Sequence, residues 1–225
     1  MNPLLRRIFQ LVVLLIVQAL ILFISAGTLF WIEAWAYLGL YFLCLLFAAL
    51  IMLPRHREVV IERSKVGEGA KNWDRWLTRL MTLPTLGMLA VAGLDYRYGW
   101  EPNFNAAVQF VGGILFLAGY ALVVWAMYTN RFFSTVVRIQ RERGHVVIKD
   151  GPYHYVRHPG YLGMLISSFG GMMLLNSPWA LVMWVVYLII VLIRTSLEDR
   201  DLRNELPGYT EYSASIRYRL IPRIW

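Results

Sequence analysis

Four long apolar runs, residues 8–30, 34–53, 77–94 and 104–128, leave few folds open to this chain. Each is close to the roughly 20 residues an α-helix needs to cross a ~30 Å hydrocarbon layer, where every backbone amide must be satisfied within its own segment. Two shorter runs, 161–175 and 179–193, are joined by Asn176-Ser177-Pro178, a turn sequence, and read as a tight antiparallel hairpin. Composition agrees with a membrane setting: 58% of the 225 residues are hydrophobic, 16% are charged and the mean hydropathy is +0.52. Collagen, disordered and disulfide-scaffold classes are excluded. The single cysteine, Cys44, lies inside an apolar run and reads as packing. The expected architecture is all-α: a polytopic membrane protein with about six transmembrane helices in one domain, 1–225, four scaffold spans in 1–128 and the chemistry-bearing part in 129–225.

A net charge of +8, from 22 Lys and Arg against 14 Asp and Glu, invites a nucleic-acid reading. The distribution argues against it, because the basic residues occupy short segments between apolar runs and form no face of a soluble module. With six spans, 21 of the 22 basic residues fall on one side and only Arg97 on the other. The positive-inside rule makes the first side cytoplasmic, and both termini with it. The first run exceeds a signal-peptide core and lacks a small-residue cleavage site, so it reads as a retained anchor. The stretch 63–70 is polar and contains glycine, and reads as a solvated inner loop ahead of an interfacial Trp73.

Polar residues concentrate in 131–161 and 194–225, the two segments flanking the hairpin, so they must lie near one another. In the first, Val146 to Ile148 reads as extended and Asp150-Gly151-Pro152 as a turn. Pro159 biases His158 away from helical dihedrals and suits the first position of the next helix. The amides of that helix start would favour an anion such as a cofactor carboxylate, with Arg157 and His158 beside it. The plainer alternative is that Arg157 reaches lipid phosphates and His158 caps the helix. His154 and His158 are four apart, but the intervening chain is not helical and no Cys or acidic cluster accompanies them, so no metal is expected. In the second segment, Arg194 and Glu198 are four apart on a helical face at the membrane mouth. They are either an intrahelical pair worth about 0.2–0.5 kcal/mol or functional groups. Asp199, Arg200, Asp201 and Arg203 read as a solvated face. No Gly-x-Gly-x-x-Gly, Walker A or Gly-x-Ser-x-Gly motif occurs.

The sequences His145-Val146-Val147-Ile148, Gly151-Pro152-Tyr153, Arg157-His158-Pro159-Gly160-Tyr161-Leu162-Gly163, Arg194 to Glu198, Tyr209-Thr210-Glu211-Tyr212 and Arg219-Leu220-Ile221-Pro222 occur in this order. Together they resemble the isoprenylcysteine carboxyl methyltransferase family, grouped with phospholipid methyltransferases, over about the last 95 residues. The resemblance implies a membrane methyltransferase taking S-adenosyl-L-methionine in a cytoplasmic pocket, with a lipophilic, membrane-borne acceptor, a carboxylate by preference. It implies cofactor contacts at His145, Val146, Val147, Ile148, Tyr153, His158, Pro159, Gly160, Tyr161 and Glu198, with Arg194 facing the substrate. Arg194 and Glu198 are then the catalytic candidates, and no nucleic acid or metal is called for. The family's upstream Gln falls at Arg138 here, with Gln140 two residues on.

Two other classes share parts of this pattern. An NADPH-dependent sterol or enone reductase resembles the Arg-His-Pro-x-Tyr-x-Gly stretch, but its usual Asn and Glu are replaced by Gly160 and Met164. A non-catalytic lipid-binding membrane protein would use the same polar mouth for headgroups.

Overall fold

The computed structural model describes residues 2–65 and 67–225, and every regular element among them is helical. The helices are α1 (Pro3–Ala26), α2 (Ile32–Arg55), α3 (Arg57–Glu62), α4 (Asn72–Tyr98), α5 (Ala106–Thr129), α6 (Pro159–Leu174), α7 (Ala180–Glu205) and α8 (Tyr209–Ser215). Short 3₁₀ turns at Arg141–Arg143 and Gly151–His154 punctuate the segment between α5 and α6. Local chemistry sets several boundaries. The Asn2 side chain accepts from the Leu4 amide at 3.0 Å ahead of Pro3, and Asn105 accepts from Val108 at 2.9 Å. Gly27 and Gly99 close α1 and α4 in the left-handed region.

Five helices, α1, α2, α4, α5 and α7, are long and apolar enough to cross a membrane. The expected fifth crossing is α6, which at 16 residues is ~24 Å long, short of a ~30 Å hydrocarbon layer. Its main partner also differs from the expected one. α6 packs most extensively along α5, while α7 packs chiefly against α4, so the α6–α7 hairpin exists in connectivity more than in contact.

A glycine seam explains that preference. Gly112 and Gly119 on α5 face Gly170 and Gly163 on α6, at the same spacing of seven. A Cβ on Gly163 would lie 2.6 Å from the Gly119 carbonyl oxygen, and one on Gly170 would lie 2.5 Å from both the Gly112 oxygen and the Phe116 nitrogen. The two backbones therefore touch, the arrangement by which small residues bind helices in apolar surroundings. These glycines pack within the chain. At the far end, Asn176 adopts φ 57° and accepts from the Phe104 amide at 2.7 Å, while the Ser177 hydroxyl donates to Asp95 at 2.6 Å. The turn after α6 thus sits at the start of α5 and the end of α4.

Residues 63–70 depart from the solvated loop expected of them. Ser64 and Ala70 are buried and Gln10 donates to the Ser64 carbonyl, while Val66 lies outside the described residues.

Introducing Gly119→Val should separate α5 from α6 and lower thermal stability in detergent by at least the ~1–3 kcal/mol of core overpacking. A melting temperature equal to wild type would show that the seam does not hold the pair.

Candidate ligand cavity and its apolar neighbour

Asp199, next to Glu198 on α7, is the acid with the most side-chain partners among the described residues. It is 1% exposed and accepts from Arg157 Nε at 2.7 Å, Arg157 Nη2 at 2.9 Å, the Tyr209 hydroxyl at 2.9 Å and Arg219 Nε at 3.1 Å. Arg203 Nη2 lies 3.2 Å away and His158 Nε2 3.4 Å away. Arg157 also donates to the carbonyls of Ile216 and Arg217, and the amides of Arg157 and His158 donate to the carbonyls of Tyr218 and Arg219. One sequence expectation, and the plainer alternative offered for Arg157, fail here. Arg157 is buried against a carboxylate and does not reach lipid phosphates, and Asp199 is not part of a solvated face. Asp201 is also buried, bound by Lys71 at 2.8 Å and Trp73 Nε1 at 3.0 Å, so Trp73 joins α4 to α7.

This knot positions the start of α6 and the end of α7 around a cavity of about 290 Å³. That lies at the lower edge of the roughly 300–1,000 Å³ of small-molecule sites. His145, Val146, Val147, Ile148 and Tyr153 line one side of it. His158, Gly160, Tyr161, Arg194 and Glu198 line the other. Of the residues named from sequence, Pro159 alone is not in the wall; it is buried at the first turn of α6. Val146 to Ile148 lie in neither a strand nor a helix.

Arg194 and Glu198 do not pair with each other. Arg194 Nε donates to Asp74 at 2.8 Å and Nη2 to the Thr135 carbonyl at 3.1 Å, and its guanidinium lies 5.4 Å from the Tyr161 ring centre. Glu198 instead accepts from the Tyr161 hydroxyl at 2.5 Å. Tyr161 in turn stacks on the His158 ring. Asp74, wholly buried in the first turn of α4, also accepts from the Val137 amide at 2.8 Å. Sequence reading missed it, since an acid in a first helical turn is otherwise explained by the helix dipole. Phe132 and Phe133 were missed as well; Phe132 stacks on His145 at 4.4 Å, and Phe133 blocks any Cβ on Gly160 at 2.7 Å.

His145 Nδ1 accepts from the Gln140 amide at 3.3 Å, which needs the neutral ring. Burial, then the nearby charges of Arg143 and Arg138, push its pKa down to about 4. Arg138, at the position of the family's Gln, is bonded to Glu62 and Glu142. Gln140 is 1% exposed and donates to the Phe132 carbonyl at 2.6 Å, a structural post. The buried Thr135 hydroxyl, on a residue of the cavity wall, has no protein hydrogen-bond partner among the described residues.

A second cavity of about 350 Å³ adjoins the first, lined mainly by aliphatic and aromatic side chains of α1, α2, α4, α5 and α6, with Arg7, Gln18 and Arg63 among them. Arg63 and Met164 belong to both walls. The region expected to be scaffold thus contributes Arg63 to the wall of the polar cavity and, through Asp74, holds Arg194 in place.

The structure is that of a helical bundle with five helices long and apolar enough to cross a membrane, and a cavity lined in part by polar side chains beside a more apolar one. Residues 110–204 match the sequence model of the isoprenylcysteine carboxyl methyltransferase (ICMT) family. The chain is 35% identical over 79 residues to a protein-S-isoprenylcysteine O-methyltransferase of Saccharomyces cerevisiae, covering 35% of this chain and 33% of that protein. It is 36% identical over 83 residues to a probable protein-S-isoprenylcysteine O-methyltransferase of Oryza sativa subsp. indica, covering 34% and 44%. With protein-S-isoprenylcysteine O-methyltransferase A of Arabidopsis thaliana it shares 28% identity over 122 residues, covering 53% and 59%. The first two alignments span less than half the length of these relatives. The resemblance read from the motifs over about the last 95 residues is met by a match at residues 110–204, which holds the motif residues from His145 to Glu198, while Tyr209 to Tyr212 and Arg219 to Pro222 lie beyond it.

Two measurements probe this site. Asp199→Asn leaves the buried Arg157 without its carboxylate and should cost about 3–5 kcal/mol, read as a fall in detergent melting temperature; a loss under 1 kcal/mol would remove Asp199 as the organising group. For His145, the unfolded chain takes a proton below about 6.5 while the folded chain resists to about 4. Stability from this group is therefore present above pH 6.5 and lost as pH falls toward 4. His145→Gln should flatten the melting profile within that window. Glu62, held below the usual carboxylate range because Arg138 and Lys65 outweigh its burial, acts only at lower pH.

Proposed function

We propose that this chain is an S-adenosyl-L-methionine-dependent membrane methyltransferase acting on a lipophilic acceptor, a carboxylate of the isoprenylcysteine type by preference. The observation that carries the reading is the adjacency of the two cavities, one polar and lined by the family's motif residues, the other apolar and of lipid character, with Arg63 and Met164 in both walls. The polar cavity suits the cofactor in its chemistry. The unpaired Thr135 hydroxyl, the Glu198 carboxylate and the His145 and Phe132 rings offer polar, anionic and stacking contacts to a cationic nucleoside. Bound there, the cofactor supplies an electrophilic methyl group on a sulfonium, so the chain need not generate the electrophile.

In this reading the protein's own contribution is positioning and exclusion of water. His145 to Ile148, Tyr153, His158, Gly160, Tyr161 and Glu198 hold the cofactor, and Pro159 sets the direction in which α6 leaves the site. Arg194, held by Asp74 and the Thr135 carbonyl, is a rigid cation that orients the acceptor. A carboxylate acceptor requires no base, and the meeting of opposite charges is favoured in a dry pocket relative to water. Six crossings, with α6 counted as one, would put the termini and the cavity on the cytoplasmic side with the basic residues.

Calorimetric titration of the detergent-purified protein with S-adenosylhomocysteine and, separately, NADPH tests the reaction class. S-Adenosylhomocysteine alone should bind, and Glu198→Gln should weaken it by the ~1.5–3 kcal/mol of a charged hydrogen bond, roughly tenfold or more. Binding of NADPH instead, or of neither ligand to folded protein, would overturn the proposal. Arg194→Ala should reduce turnover far more than S-adenosylhomocysteine affinity; equal losses in both would take away its orienting role.

A further inference from the structure

Among the described residues, seven of the nineteen arginines lie within 4.0 Å of an acid, and of the other twelve Arg7 and Arg63 stand apart by lining the apolar chamber. Arg138 is bonded to Glu62 and Glu142, Arg157, Arg203 and Arg219 to Asp199, Arg194 to Asp74, and Arg6 lies 3.7 Å from Glu68. Arg7 and Arg63 are different. Both are half-buried, both line the apolar chamber, and neither forms an ion pair among the described residues. Arg7 Nη1 reaches only the Arg63 carbonyl at 3.4 Å and Gln10 at 3.5 Å, so its contacts are neutral. The Arg63 guanidinium lies 5.3 Å from the Phe133 ring centre, against the wall of the polar cavity. Glu62, its neighbour in sequence, is turned to Arg138 and Lys65.

Two cations withdrawn from water into an apolar chamber without a counterion are costly, and such pairs are kept where they meet an anion. Burial, followed by the charge of Arg7, lowers the Arg63 pKa to about 10, which leaves it charged at neutral pH. Its place is also informative. An apolar chain filling the chamber would present its polar end at the one wall the two cavities share, where Arg63 stands. Guanidinium binds a carboxylate through paired hydrogen bonds that an ester cannot return with the same charge.

We propose that Arg63, backed by Arg7, is an anion-binding site at the junction of the cavities, and that it selects the acceptor by a carboxylate at the end of an apolar chain. This deepens the methyltransferase reading and rests on it for the word acceptor. Arg63 is a binding and selectivity residue, distinct from Arg194 deeper in the polar cavity. The site also implies product release, because methylation removes the charge that Arg63 holds.

The test is equilibrium binding of N-acetyl-S-farnesylcysteine and of its methyl ester to the full chain in neutral detergent, read by tryptophan fluorescence. Wild type should bind the acid at least tenfold more tightly than the ester. Arg63→Met, which keeps the apolar stem and removes only charge, should bring the two within about twofold by weakening the acid, with ester affinity retained. Arg63→Lys should restore part of the preference, and Arg7→Met should reduce it. No preference in wild type, or a preference that survives Arg63→Met, would overturn the proposal. So would displacement of the acid by dioleoylphosphatidic acid at equal concentration, since the site would then be a lipid-phosphate anchor. A parallel wild-type titration with S-adenosylhomocysteine separates the two ideas: its failure would count against methyl transfer, while the acid-over-ester comparison would still decide the anion site. The melting temperature of Arg63→Met should equal or exceed that of wild type, because an uncompensated charge has been removed.

Discussion

One buried carboxylate organises the polar half of this molecule. Asp199 collects the guanidinium of Arg157, the hydroxyl of Tyr209 and the side chain of Arg219. Those partners belong to the segment before α6, to α8 and to the C-terminal tail, which also pack through Val156, Tyr209, Tyr212 and Leu220. The shared charge adds a common, directional reference to that packing. With it, the end of α7, the start of α6 and the tail become one rigid wall. Charges so deeply buried are tolerated only when every lone pair and proton finds a partner, and here the backbone carbonyls of Ile216 and Arg217 complete Arg157.

The apolar half obeys a different rule. In hydrocarbon no hydrophobic force draws helices together, so close backbone approach and dispersion must do it. The glycines of α5 and α6 meet that need and hold the short α6 against its partner, with Tyr161 in the cavity wall. Site and bundle are therefore coupled: the seam fixes where α6 lies, and the Asp199 knot fixes where it begins. Between them stand two kinds of arginine. Arg194 is held rigid by Asp74 in the cavity wall, whereas Arg63 and Arg7 have no acidic partner among the described residues.

Much of the architecture was legible in the chain. The apolar runs predicted the long helices, although α7 continues to Glu205, twelve residues past its apolar run, and Asn176-Ser177-Pro178 marked a real turn. The motif residues from His145 to Glu198 do assemble around one cavity. What could not be read was the pairing. Arg194 and Glu198 have the spacing of an intrahelical bridge, yet Asp74, 120 positions away from Arg194 in sequence, and Tyr161 take them instead. Asp199 to Arg203 have the composition of a solvated face, but the chain before α6 and the tail fold over Asp199 and bury it.

Hydrophobic length and period are local properties, set by the cost of exposing backbone amides to lipid, and so the sequence by itself determined that this chain is a helical membrane bundle with a polar cluster at one end. Spacing and motif determined which residues would crowd together there. Charge pairing and helix neighbours depend on which distant side chain arrives first with the right geometry. Only the tertiary structure could decide that α6 lies on α5, that Asp74 holds Arg194, and that Arg63 is left facing both cavities without a counterion among the described residues.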